Sequence, residues 1–111
     1  MAQQCKKPNG LIELESQFLS VLAQETRLKI LCLLRDKPKC LCELSPIMEE
    51  DASTISRHLN ILKSKGILAS EKKGVRIAYH IRDERVCRIL ELVDQIILSK
   101  FKETAKVMKG V

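Results

Sequence analysis

Asp51-Ala52-Ser53-Thr54-Ile55-Ser56-Arg57-His58-Leu59-Asn60-Ile61-Leu62-Lys63-Ser64-Lys65-Gly66 is the stretch whose reading decides the fold. Ile55, Leu59 and Leu62 stand at i, i+4 and i+7, which is one face of a helix. Asp is a residue type that caps helix N-termini and Gly one that ends helices, so the pattern predicts a helix over 52–65 with Asp51 as cap and Gly66 as stop. Packing the apolar face inward leaves Ser53, Thr54, Ser56, Arg57, Asn60 and Lys63 for solvent or for a ligand.

Downstream the apolar period shortens to about two. Ile67 to Ser70 and Arg76 to Ile81 read as strands, with Lys72-Lys73-Gly74-Val75 as the tip of a hairpin. Asp83-Glu84 then opens a long helix to about Lys109, whose apolar positions are Val86, Ile89, Leu90, Val93, Ile96, Ile97, Phe101 and Met108. So small a domain cannot cover all of that stripe, which predicts a partner, most simply the same helix of a second subunit. Upstream, a short helix is expected at about Cys42 to Met48 with Pro46 in its first turns. Lys37-Pro38-Lys39 ends a helix over Arg27 to Arg35 that is apolar on most sides and so expected to be buried. Gln24-Glu25-Thr26 reads as a break, and Leu11, Ile12, Leu14, Phe18, Leu19 and Leu22 form a first amphipathic helix. A short helix, a tight turn and a helix rich in Ser, Thr, Arg and Asn make a helix-turn-helix, in which the second helix enters the major groove of DNA. The following hairpin is then a wing with a basic tip. The fold class is mostly α with a β-hairpin wing, a winged helix-turn-helix. Residues 1–10 are expected to be a flexible N-terminal arm, and 11–109 a DNA-binding and dimerisation domain paired through the first and last helices.

Composition narrows the function. A chain of 111 residues suits one domain, and 3% aromatics disfavours single-strand binders that stack bases on several rings. The longest apolar run, Ile30-Leu31-Cys32-Leu33-Leu34, is far below the ~18 residues of a membrane span. The start, MAQQCKKPNG, has no apolar stretch of the kind an export leader needs, which predicts a cytoplasmic chain with its five cysteines as thiols. An odd count also forbids complete internal pairing. The net charge of +6 is uneven. Residues 40–51 carry Glu43, Glu49, Glu50 and Asp51 and no base, while 52–80 carry Arg57, Lys63, Lys65, Lys72, Lys73 and Arg76 against Glu71 alone. A basic segment after an acidic one reads as a face for a polyanion or, more blandly, as a solvated helix surface. With no phosphate loop, Ser/His/Asp arrangement or plausible carboxylate pair, the chain is read as no enzyme and as needing no organic cofactor.

Four segments resemble the ArsR/SmtB winged-helix repressors. Ala23-Gln24-Glu25-Thr26-Arg27-Leu28-Lys29-Ile30-Leu31 is similar to the family's "ADPTRLRIL" opening. Ser53-Thr54-Ile55-Ser56-Arg57-His58-Leu59, Leu62 and Lys65-Gly66-Ile67-Leu68 resemble its "SxxSxHLxxLxxxGLV" recognition helix, and Lys73-Gly74-Val75-Arg76-Ile77-Ala78-Tyr79 its "EGRxVYY" wing. Lys39-Cys40-Leu41-Cys42-Glu43-Leu44 resembles its "ELCVCDL" metal box. The resemblance covers about residues 12–108 and implies a homodimer that binds double-stranded operator DNA and leaves it on binding a metal or metalloid ion. Ser53, Thr54, Ser56, Arg57 and Asn60, with Lys63 beside them, would then address bases and phosphates, and Lys72, Lys73 and Arg76 would make the wing contacts.

Cys40 and Cys42 carry the sharpest chemistry. Residues two apart on a helix point about 200° apart, so these sulfurs are expected to converge only if the helix start unwinds, and ion binding would then distort that first turn. Lys37, Lys39 and the helix N-terminus would favour the thiolates. The same two residues also suit small apolar fillers. As(III), like Sb(III), prefers three thiolates, and family members take the third from just beyond the pair or from the N-terminal arm. Ser45 follows Leu44 here, which leaves Cys5, within its own subunit or across a dimer. Another thiophilic ion, Cd(II) or Pb(II), is a weaker candidate. Cys32 reads as core and Cys87 as structural or surface. His58 resembles the family's structural histidine and His80 reads as a solvated wing residue. The family's zinc site on the last helix needs histidines, and 83–109 has none. A competing reading makes the thiols a redox or sulfide sensor, through Cys32, Cys87 or the close pair.

Overall fold

The computed structural model describes residues 5–109, with side chains from Cys5 to Glu103. Helices α1 (Leu11–Leu22) and α2 (Glu25–Leu34) lead to a two-residue strand, β1 (Lys39–Cys40). Helix α3 (Leu41–Met48), a tight turn and helix α4 (Ala52–Ser64) follow, then strands β2 (Leu68–Lys73) and β3 (Arg76–Ile81), and helix α5 (Arg85–Lys109). The strands form one antiparallel sheet in the order β1-β3-β2. This is a winged helix-turn-helix.

The decisive stretch folds as its pattern requires: Ile55, Leu59 and Leu62 are fully buried. They meet Ile30 and Leu31 of α2, Leu44 of α3, and Ile67 and Leu68 at the start of the wing. Gly66 takes φ +75, a left-handed value that costs glycine little, and turns the chain from α4 into the sheet. Asp51 holds the cap position, yet its carboxylate accepts the Ser53 hydroxyl instead of a backbone N–H. Ser45 clamps the turn between α3 and α4, its hydroxyl donating to the Glu50 carbonyl at 2.8 Å.

Several boundaries differ from the expectations, each for a local reason. Gln24-Glu25-Thr26 is a capped start: the Gln24 side-chain oxygen accepts from the Arg27 N–H at 2.9 Å, so α2 begins at Glu25. The face of α2 that bears Leu28 and Cys32 is exposed, which corrects both the expected burial of this helix on most sides and the reading of Cys32 as core. Within one chain only Ile30, Leu31 and Leu34 of α2 have neighbours that cover them. Helix α3 starts one residue early, and Pro46 falls in its later half, where it has no N–H to give the Cys42 carbonyl. The strands of the wing extend to Lys73 and resume at Arg76, so its tip is the pair Gly74-Val75 rather than four residues.

Helix α5 is anchored at its start. Asp83 accepts the Arg85 N–H at 3.0 Å, and hydrogen bonds from the Arg85 side chain hold the Asp83 carboxyl down at about 2. Val86 is buried and Ile89 and Leu90 are half-buried, but every side chain from Glu91 to Glu103 is exposed. Leu92, Ile96 and Phe101 are thus uncovered, as are Ile12, Leu14 and Leu19 of α1. The side chain of Met108 lies outside the described residues. The core itself is small and closes on α4. Leu59→Ala is therefore expected to cost about 2–5 kcal/mol of folding stability, read as a lower midpoint in thermal or urea melts.

Candidate functional site

Helix α4 and the wing carry the cationic and polar residues singled out in the sequence. Ser53, Arg57, Asn60 and Lys63 are exposed on α4, whereas Thr54 and Ser56 are half-buried. Lys72, Lys73 and Arg76 are exposed on the two wing strands, and Lys73 pairs in register with Arg76 across the hairpin. At the tip, Val75 is 99% exposed, an apolar side chain with no protein neighbour to hide it. Sequence reading passed over it because a lone Val beside a Gly reads as turn filler.

Helix α4 is held in place by a polar link as well as by its core face. The Arg27 Nε donates to His58 Nδ1 at 3.1 Å, and Arg27 Nη1 donates to the Val21 carbonyl, also at 3.1 Å. One guanidinium so ties α4 to α2 and to the end of α1. An acceptor nitrogen on His58 requires the neutral ring. Burial pushes the His58 pKa below the usual 6.5, the charges of Arg27 and then Arg57 push it the same way, and Glu50 opposes them. The expected structural role of His58 thus takes a specific form.

Cys40 and Cys42 meet. The structure joins their sulfurs in a disulfide across a Cα–Cα distance of 5.2 Å. This corrects two expectations, that these cysteines stand as free thiols and that a regular helix start would keep their sulfurs apart. Cys40 is not helical: it is the residue before α3, extended at φ −87° and ψ 165°, and it pairs with Ala78 in the sheet. Only Cys42 is on the helix, so the projection of two helical residues does not apply, and α3 keeps its first turn. The Glu43 carboxylate accepts the Cys40 N–H at 3.1 Å and fixes that start. Cys40 is buried and Cys42 exposed.

Lys39 does not face the sulfurs. Its side chain is buried, and its ammonium donates to the Leu33 carbonyl at 2.9 Å, 3.8 Å from the Asp36 carboxylate. It closes the C-terminal end of α2, where exposed carbonyls favour a cation. Lys residues are so rarely buried that no sequence signal marks it. Cys5 is exposed ahead of α1, and Cys32 and Cys87 are free. Among the described residues no three His, Cys, Asp or Glu side chains are grouped to hold a metal ion, so one chain brings together Cys40 and Cys42 but not Cys5.

The thiol pair opens onto a groove of about 510 Å³ between α3, α4 and the wing. Ser56 of α4 and Arg76 of the wing line it together with the two sulfurs, and Ala52, Ile77 and Tyr79 complete its walls. The cysteines, the exposed-polar helix and the basic hairpin thus share one concavity.

With that geometry in place, the comparisons with known proteins are direct. Residues 24–70, from the cap of α2 into β2, match the bacterial regulatory protein, arsR family. The arsenical resistance operon repressor of Escherichia coli is 31% identical over 80 residues, which cover 71% of this chain and 68% of that protein. The chain belongs to the ArsR family. An HTH-type transcriptional regulator of Methanocaldococcus jannaschii is 38% identical over 85 residues, covering 76% of this chain and 96% of that one. The cadmium resistance regulatory protein CadC of Listeria innocua is 35% identical over 69% of this chain, which spans 66% of CadC. The homodimeric winged helix-turn-helix DNA-binding domain of a possible ArsR-family regulator of Mycobacterium bovis superposes with a TM-score of 0.73 at 29% identity, covering 90% of this chain and 92% of the domain. The ArsR-family winged helix-turn-helix described here is accordingly the DNA-binding unit of a transcriptional repressor. Among the described residues no helix is long and apolar enough to cross a membrane.

The Arg27–His58 link has a pH signature. The folded chain favours neutral His58 more than the unfolded chain does, so the link's contribution is complete above about pH 6.5 and is lost as pH falls below it. Thermal midpoints measured between about pH 7.5 and 5.5 should decline towards acid, and His58→Gln should flatten that slope. An unchanged slope would assign the titration to another group.

Proposed function

We propose that this ArsR-family protein is a cytoplasmic, homodimeric repressor of a metal- or metalloid-resistance operon, released from its operator when a thiophilic ion binds cysteine thiolates. The single observation that supports it best is the shared groove: the Cys40–Cys42 pair, Ser56 of α4 and Arg76 of the wing lie around one concavity. Ser53, Thr54, Ser56, Arg57 and Asn60 address base edges and nearby phosphates of the major groove, with Lys63 on the backbone. Lys72, Lys73 and Arg76 run along phosphates or the minor groove. The second subunit docks on the uncovered apolar faces of α1 and α5, where Ile12, Leu14, Leu19, Leu92, Ile96 and Phe101 are exposed. A dimer of this kind reads two half-sites about one helical turn, or a small multiple, apart. Residues 1–10 form an arm and 11–109 the DNA-binding and dimerisation domain.

As(III) or Sb(III) is the first choice of inducer, and Cd(II) or Pb(II) the next, supported by the arsenical and cadmium resistance regulators among the relatives. Cys40 and Cys42 supply two donors after reduction. Cys5 supplies the third, from the same chain or from the partner across the dimer, because no third donor is grouped with the pair among the described residues of one chain. No organic cofactor takes part, and the protein is not an enzyme.

Two measurements test this reading. A gel shift with fully reduced protein, titrated with arsenite, Cd(II), Pb(II) and Zn(II), should show release by a thiophilic ion; retention of DNA under all four sinks the sensor. Arg57→Glu combined with Arg76→Glu should weaken operator binding by at least about a hundredfold, since two phosphate-facing cations become anions. Unaltered affinity would move the DNA interface elsewhere.

The Cys40–Cys42 disulfide favours a second reading, in which oxidation of the pair is itself the signal. Its mark is a species lighter by two hydrogens whose DNA affinity differs from that of the reduced chain, with no ion present.

A further inference from the structure

The groove beside the thiol pair is built for more than an ion. Two sulfurs close enough to bond lie at one end of it, and no third His, Cys, Asp or Glu donor is grouped with them among the described residues. An inorganic trivalent centre has three positions to fill. A centre that already carries one carbon substituent has two. The rest of the groove offers room and apolar surface for such a substituent: about 510 Å³, walled near the sulfurs by Leu41, Ala52, Ile77 and Tyr79. Ile77 stands out among these, since it is 47% exposed on the wing and belongs to no core cluster.

We propose that the groove is a subsite for the apolar substituent of a monosubstituted trivalent organoarsenical, R–As(OH)2, whose arsenic bridges Cys40 and Cys42. This deepens the repressor reading above and rests on it for the consequence, release of DNA. Binding begins from the reduced pair, the disulfide having taken two electrons and two protons from a thiol or phosphine reductant. Each thiol then loses its proton to one arsenic-bound hydroxyl. Two As–S bonds form, two As–O bonds break and two waters leave, with no change in oxidation state. The substituent lies between Ser56 of α4 and Arg76 of the wing, and so stands where DNA is to be gripped. Cys5 is not required.

Phenylarsine oxide, hydrated in water to the phenyl R–As(OH)2, is the probe. Its methyl counterpart and arsenite are the comparisons. The experiment uses the full chain reduced with a phosphine and carrying Cys5→Ser. Intact mass should show one phenylarsenical per chain, heavier by the reagent less two waters, and Cys40→Ser should abolish tight binding. Phenyl should bind at least about tenfold more tightly than methyl, because burying a ring against apolar side chains is worth more than 1.4 kcal/mol. Ile77→Ser, on an exposed wing position, should erase that preference while leaving methyl binding unchanged. Equal affinity for phenyl and methyl overturns the subsite, as does a preference that survives Ile77→Ser. The two readings fail separately: groove-dependent binding without release from DNA defeats the repressor-release reading alone, whereas release by arsenite with no preference for a substituent defeats the subsite alone.

Discussion

Two ladder pairs, Lys39 with Tyr79 and Cys40 with Ala78, set most of what is distinctive in this chain. They turn a two-residue segment between α2 and α3 into the third strand of the wing. Because Cys40 must be extended to pair, it cannot be the first residue of α3, and its side chain leaves the helical projection. Its sulfur then meets that of Cys42 without any loss of helix. The same pairing draws the start of α3 against β3, so the groove closes on three sides. Lys39 holds the other end: its buried ammonium on the Leu33 carbonyl fastens β1 to the C-terminus of α2.

The position of α4 rests on two supports of different physical kind. Its apolar face, Ile55, Leu59 and Leu62, is fully buried and non-directional, and would tolerate small rotations about the helix axis. The Arg27–His58 hydrogen bond is directional and connects the same helix to α2 and to the α1 carbonyl of Val21. Together they fix both depth and rotation, which a helix needs if side chains three or four residues apart are to meet particular base edges.

The elements legible in the sequence were those with a repeated pattern. Helix α4, the wing and α5 each display several turns or alternations, and their capping residues Asp51, Gly66 and Asp83 stand where the pattern ends. What was not legible was set by single contacts between distant segments. A two-residue strand has no periodicity to read, so β1 was invisible, and with it the conformation of Cys40. The burial of Lys39 depends on one carbonyl of α2. The exposure of Cys32 and Leu28 depends on the absence of a neighbour, which no local pattern encodes: an apolar helix face signals that something covers it, not that the same chain does. For the candidate site, the outward residues of α4 and the basic wing followed from the pattern. That the cysteine pair shares their groove did not, since it is a consequence of β1.

That shared groove bears on how a thiol ligand acts on DNA binding. Coupling between separated sites requires a two-state element that both ligands bias, and the ligand can shift it only by its differential affinity for the two states. Moving an equilibrium from 1:99 to 99:1 takes a differential affinity of about 10⁴. A ligand seated between Ser56 and Arg76 needs no such intermediary. Whatever occupies the groove removes volume and counter-charge that DNA would use, so the two exclude one another by contact. The energetic demand falls accordingly, from remodelling the fold to filling a space. The uncovered faces of α1 and α5 then have a separate task. They set the distance between two such grooves, and their pairing can be strong and unchanging because the switch does not pass through it.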